Sequence, residues 1–192
     1  CTKGEIMTNR KSEYYFAYGS NLNLTHMKGR CPNAKFIGKF TLHNWELVFR
    51  GVADIQPAKN KKVVGGLFKI TPKCEKSLDG YEGFPFLYIK GYMQSEIDGK
   101  NVEVMTYIMR EQDCIKPPSD FYFATIKQGY RDCGINIRQL NTAEKNSYDE
   151  RFGVPRGGFS WGIPRPKKPV VDDLFGDLDQ TYYDDTKPYG RK

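Results

Sequence analysis

The chain has 192 residues and a net charge of +7, with 39% apolar, 28% charged and 14% aromatic residues. That size suits one domain, or one domain with an appendage, and the aromatic share is enough for a packed core. No apolar run reaches the roughly 18 residues of a membrane span, and no basic-then-apolar leader opens the sequence, so the expectation is a cytoplasmic protein without a membrane partner. Five cysteines (Cys1, Cys31, Cys74, Cys114 and Cys133) are widely spaced with no CxxC pair, and His26 and His43 are the only imidazoles. A disulfide framework, a structural zinc site and a His-based metal centre are set aside, and no metal or cofactor is expected. Residues 1–171 carry 27 Lys and Arg against 17 Asp and Glu, whereas residues 172–186 carry six Asp and no base. A basic body invites anionic small molecules, but no nucleic-acid motif accompanies it, and nucleic acid is not expected as a partner.

Residues 1–12 are polar, lack periodicity and are read as a flexible N-terminus. Tyr14–Tyr18 (YYFAY) is a short aromatic run of the kind found in a buried strand, ended by the turn residues Gly19-Ser20-Asn21. Asn23 then suits the N-cap of a short helix to about Lys28. Lys35–Arg50 alternates in part and reads as one or two strands. Val63–Ile70 reads as another, whose Gly65-Gly66 pair marks a bulge or a close backbone approach. Thr71-Pro72 opens a helix that should stop near Gly80, followed by a turn over Tyr81–Pro85. Phe86–Tyr92 and Val102–Met109 read as strands joined across Asp98-Gly99. Ser119 caps a helix over about 120–132 with Tyr122, Ile126 and Tyr130 on one face, Gly134 suits its stop, and a further helix is expected over 142–151. Residues 153–192, rich in Pro and Gly and then acidic, read as an irregular extension that aromatic side chains such as Phe159 and Trp161 could anchor along the body. The pattern predicts a compact α+β domain over 13–152.

Three places could carry chemistry. A glycine turn before a helix, as at Tyr18-Gly19-Ser20-Asn21, presents backbone N–H groups that suit a carboxylate, phosphate or oxyanion, though many structural turns share this composition. Glu82, among Tyr81, Phe84 and Phe86, is a carboxylate whose pKa an apolar pocket would raise toward general acid–base work; the alternative is a surface turn. Asp79 suits packing or capping better than reaction. Tyr88, Tyr107, Tyr122 and Tyr130 could line a pocket or simply pack the core.

FAYGSNL, VVGGLFKIT, SLDGYEGFPFLY and PPSDFYFATIKQG occur in this order. In that combination the chain resembles the gamma-glutamylcyclotransferase-like family, which includes gamma-glutamylamine cyclotransferases and AIG2-like proteins, over roughly residues 14–140. The resemblance implies a small mixed β-barrel with surrounding helices and a cavity walled by the YGSN turn. It implies Glu82 as the catalytic carboxylate. Tyr18, Gly19, Ser20, Asn21 and Leu22 would bind the substrate head group, with Tyr88 and Tyr122 at the cavity. The implied reaction is intramolecular attack of an α-amine on a γ-glutamyl carbonyl, giving 5-oxoproline and a free amine without cofactor. The extension after Phe152 departs from the family's shared core. The basic body, with Lys59, Lys61 and Lys62 in one loop, keeps open a phosphate-bearing, nucleotide-derived ligand that the fold would bind, sequester or cleave.

Overall fold

The computed structural model describes residues 13–112 and 114–148. The expectations for residues 1–12 and 153–192 lie outside them. The elements in chain order are β1 (Tyr14–Ala17), a 3₁₀ turn (Ser20–Leu22), α1 (Leu24–Arg30), β2 (Lys35–Phe49), β3 (Ala53–Lys69), α2 (Pro72–Glu82), β4 (Tyr88–Ile97), β5 (Lys100–Met109), α3 (Asp120–Asp132) and α4 (Arg138–Ser147).

One five-stranded sheet runs in the order β2-β3-β1-β5-β4. The short aromatic strand β1 is central: it pairs antiparallel with β3 (Phe16 opposite Leu67) and parallel with β5 (Tyr15 opposite Met105). The α+β class and mixed sheet are as expected. Among the described residues, however, the sheet does not close into a barrel, and β2 and β4 lie at its two edges. Phe16, Phe49, Phe68, Leu78, Met105, Ile108 and Ile126 form the core between sheet and helices. Cys31, Cys74 and Cys133 are buried free thiols, packed as small apolar groups.

The longest strands were only partly legible in the sequence. β2 is one strand of 15 residues with irregularities near Gly38 and Asn44, and β3 spans 17 residues, starting ten before the expected Val63. Its N-terminal part pairs with β2 alone, and this two-stranded ribbon accommodates Pro57 and the exposed polar residues 59–62 in mid-strand. The Gly65-Gly66 pair is a close approach: a Cβ on Gly65 would lie 2.2 Å from the Ala17 carbonyl oxygen, and one on Gly66 would lie 2.9 Å from Leu22 Cδ2. The register irregularities fall elsewhere.

Thr71 caps α2 as expected, accepting from Cys74 N–H, but the helix continues through Gly80 and Tyr81 to Glu82. It stops at Gly83, whose φ of 65° is the left-handed conformation of a helix C-terminus. Lys90 on β4 fastens the helix to the sheet by pairing with Glu75 (2.7 Å) and Asp79 (2.8 Å). The Asp98-Gly99 turn joins β4 and β5 with both residues at positive φ, the geometry of a tight hairpin. Ser119 caps α3 as expected. α4 begins at Arg138 instead of 142, because Leu140 and Ala143 on its first turns are buried against the core.

Candidate active site

The first wall of the site is built where β1 ends. The chain turns at Gly19 into the 3₁₀ segment, and Asn23 then caps α1 by accepting from His26 N–H. Gly19 is needed for its lack of a side chain: a Cβ there would meet Ala53 Cβ at 3.1 Å and the Tyr122 hydroxyl at 3.5 Å. Leu22 pins this turn from below. It is fully buried, beneath Gly66 and against Gly129 of α3, where a Cβ would come within 2.5 Å of the Leu22 and Asn23 backbone. The turn is thereby clamped between sheet and α3, leaving Ser20 and Asn21 buried yet facing a cavity.

The second wall is the last turn of α2. Because the helix runs to Glu82, that residue lies on the same face as Glu75 and Asp79, toward the sheet. Asn21 Nδ2 donates to Glu82 Oε1 at 2.7 Å and to the Tyr15 hydroxyl at 2.9 Å. Burial pushes the Glu82 carboxyl up to about 7, against the lowering effects of the Arg30 charge and the Asn21 hydrogen bond. A carboxyl in that range exchanges protons readily at neutral pH.

Tyrosines complete the enclosure. A small cavity is lined by Glu82, Gly19, Ser20, Asn21, Ala53 and the rings of Tyr15, Tyr18, Tyr88, Tyr107 and Tyr122. The Ala53 backbone orients two of them. Its carbonyl accepts from the Tyr88 hydroxyl at 2.8 Å, and its N–H donates to the Tyr122 oxygen at 3.2 Å. Tyr18 donates to the Tyr107 carbonyl at 2.7 Å, and Tyr107 donates to Asp79 Oδ1 at 2.6 Å. Burial raises the pKa of all five phenols, so they stand as neutral hydroxyls.

A polar network beneath the cavity fixes Ala53. Its neighbour Asp54 is fully buried and accepts from Arg50 Nε (3.0 Å), Met109 N–H (2.9 Å) and Gln112 Nε2 (3.2 Å). Burial raises the Asp54 carboxyl to about 6, with Met109 N–H and Arg50 pulling the other way.

The structure thus brings together Tyr18, Gly19, Ser20, Asn21, Glu82, Tyr88, Tyr107 and Tyr122 from distant parts of the sequence. Leu22 supports the turn from the core and is not among the residues that line the cavity, and of the four tyrosines Tyr130 takes the packing alternative, its hydroxyl accepting from Gln139 on α4. Tyr15, Ala53 and Arg30 are participants that the sequence did not single out. The adjacency of Tyr15 to the YGSN turn was a usable signal, whereas Ala53 and Arg30 had none. Lys61 of β3 pairs with Glu46 of β2, and among the described residues no lysine or arginine lines the cavity.

A family model described as "Gamma-glutamyl cyclotransferase, AIG2-like" matches residues 15–124, over half of the chain. The chain is 28% identical to a gamma-glutamylcyclotransferase of Bos taurus over 156 residues, covering 72% of this chain and 82% of that protein. It is 27% identical over 158 residues to a gamma-glutamylcyclotransferase of Homo sapiens, covering 73% and 83%. A solved structure named gamma-glutamyl cyclotransferase superimposes with a TM-score of 0.59 at 21% identity, covering 85% of this chain and 98% of that one, a likeness of fold. Among the described residues no helix is long and apolar enough to cross a membrane. The chain belongs to the gamma-glutamyl cyclotransferase, AIG2-like family.

Proposed function

We propose that the chain is a cyclotransferase acting on a γ-glutamyl amine or γ-glutamyl peptide, releasing 5-oxoproline and the free amine. The observation that carries this reading is Glu82, a carboxyl raised to about 7 and held by Asn21 inside a cavity walled by the Gly19-Ser20-Asn21 turn and neutral phenols. The turn would receive the α-carboxylate or the developing oxyanion, and the phenols would position the glutamyl carbons. Folding the substrate so that its α-nitrogen lies against its γ-carbonyl makes the attack intramolecular, which lowers much of the barrier through orientation.

The balance needs no co-reactant. The α-nitrogen forms a bond to the γ-carbon, giving a tetrahedral centre, and the bond from that carbon to the leaving nitrogen breaks. The α-ammonium loses two protons overall and the leaving nitrogen gains two. Glu82 takes a proton from the α-nitrogen and returns it to the leaving nitrogen, a role suited to a carboxyl that titrates near neutrality. A phosphate-bearing ligand is less well served, since among the described residues the lining offers one acid and no cationic side chain.

The test incubates the purified chain with a panel of γ-glutamyl amines and γ-glutamyl dipeptides and detects 5-oxoproline by mass spectrometry, with Glu82→Gln alongside. Product that falls at least about 10²-fold in the variant is expected. Wild-type turnover by Glu82→Gln removes the proposed role of Glu82, and absence of product from every panel member removes the activity.

A further inference from the structure

Glu82 receives its hydrogen bond from one amide, and that amide is itself held by a cation. Arg30 Nη1, at the end of α1, donates to Asn21 Oδ1 at 2.7 Å. Its guanidinium lies 3.5 Å from the centroid of the Tyr81 ring, and the Tyr81 hydroxyl meets Ser20 Oγ at 3.0 Å. Arg30, Asn21, Ser20, Tyr81 and Glu82 thus bracket the 3₁₀ turn to the ends of α1 and α2, with Arg30 outside the cavity lining.

An amide accepts on one side and donates on the other. Turned by half a rotation, Asn21 would set its NH₂ against the guanidinium and its carbonyl against the carboxylate, and both contacts would repel. A guanidinium stays protonated throughout the working pH range, so it enforces one orientation. We propose that Arg30 is a positioning residue of this site: by holding Asn21 Oδ1, it locks the amide with Nδ2 donating to Glu82.

The other titratable groups acting with Glu82 are Tyr15 on β1, Tyr18 after it, Tyr88 on β4, Tyr107 on β5 and Tyr122 on α3, all held neutral by burial. Asp79, one turn back on α2, is engaged by Lys90 and Tyr107. Arg30 is the charged group that opposes the effect of burial on Glu82.

This inference builds on the reading of Glu82 as the proton carrier, but its test does not require turnover. The full chain is labelled with ¹³C at the glutamate carboxyls, the Glu82 resonance is assigned by its loss in Glu82→Gln, and its titration midpoint is followed in wild type, Arg30→Met, Arg30→Gln and Arg30→Lys. The neutral variants should move the midpoint up by about one pH unit or more, and lysine should return it toward wild type. Two neutral variants are used so that a folding failure in one leaves the other to decide. An unchanged midpoint in a folded neutral variant overturns the proposal. If 5-oxoproline release is found, the acid limb of its kcat profile should move with the midpoint. If the midpoint shifts while no substrate is turned over, the positioning role stands and the proposed activity falls.

Discussion

Gly129 and Gly80 both lie inside helices, and replacing each with alanine should change stability in opposite directions. At Gly80 a Cβ meets nothing within 4 Å, so Gly80→Ala gains only helix propensity, about 0.5–1 kcal/mol. At Gly129 a Cβ would lie 2.5 Å from both Asn23 N and the Leu22 carbonyl carbon, and 2.7 Å from Leu22 Cβ. Carbon contacts settle at roughly 3.5–4 Å, so about 1 Å of relief is required. Neither partner is the end of a flexible side chain, so no rotamer change supplies that relief and α3 must back away from the turn. Overpacking of this kind costs up to about 3 kcal/mol, and the propensity gain of about 1 kcal/mol leaves a net loss near 2 kcal/mol. Thermal and urea melts of both variants measure the contrast, with a fall in Tm of roughly 4–8 °C expected for Gly129→Ala. The displaced segment carries Ser20 and Asn21, so release of 5-oxoproline should fall too, by up to about 10²-fold for an ångström of misplacement. A Gly129→Ala chain as stable as wild type, or equal losses in both variants, would refute the claim that this contact sets the position of the turn.

Removing Arg50 should leave the buried Asp54 carboxylate without its cation, at a cost of about 3 kcal/mol or more in urea unfolding at pH 8. The cost should shrink below pH 6, where Asp54 takes up a proton, and a second change, Asp54→Asn, should recover part of it; a pH-independent loss contradicts this. Glu82 gives a further pH signature. Its folded value of about 7 lies above the ordinary 4.5, so the folded chain holds the extra proton between those values and its contribution to stability is lost as pH rises from about 4.5 through about 7. Glu82→Gln, which does not titrate, should therefore gain Tm relative to wild type between pH 5 and pH 8; a difference that stays constant across melts at the two pH values would show that the carboxyl is not desolvated.

Local signals in the sequence were sufficient for several elements. Thr71-Pro72, Ser119 and Asn23 each supply a cap that satisfies helix N–H groups from within a few residues, and all three open the helices expected of them. Asp98-Gly99 supplies the positive φ values that a tight hairpin requires. At the end of α2 two glycines compete as the stop. Gly80 is tolerated inside the helix, and Gly83 supplies the left-handed residue that ends it, so the helix carries Glu82 on its final turn. The first ten residues of β3 carry no strand signal of their own, because the segment before Val63 has no apolar alternation and its strand character comes from pairing with β2.

The sequence by itself determined the caps, the tight turn, the short aromatic strand and the residue types from which a site could be made, since these depend on chemistry within a few bonds of each residue. Tertiary structure alone decided that Tyr15, Ala53 and Arg30 join the site while Leu22 and Tyr130 serve the core. It also decided that the sheet stays open and that Glu82 is raised toward neutrality. The physical reason is desolvation and register. A carboxyl is raised, and an amide oriented, by groups brought from β1, α1, α2 and β3, and their meeting depends on long-range pairing and on close approaches such as those at Gly65, Gly66 and Gly129.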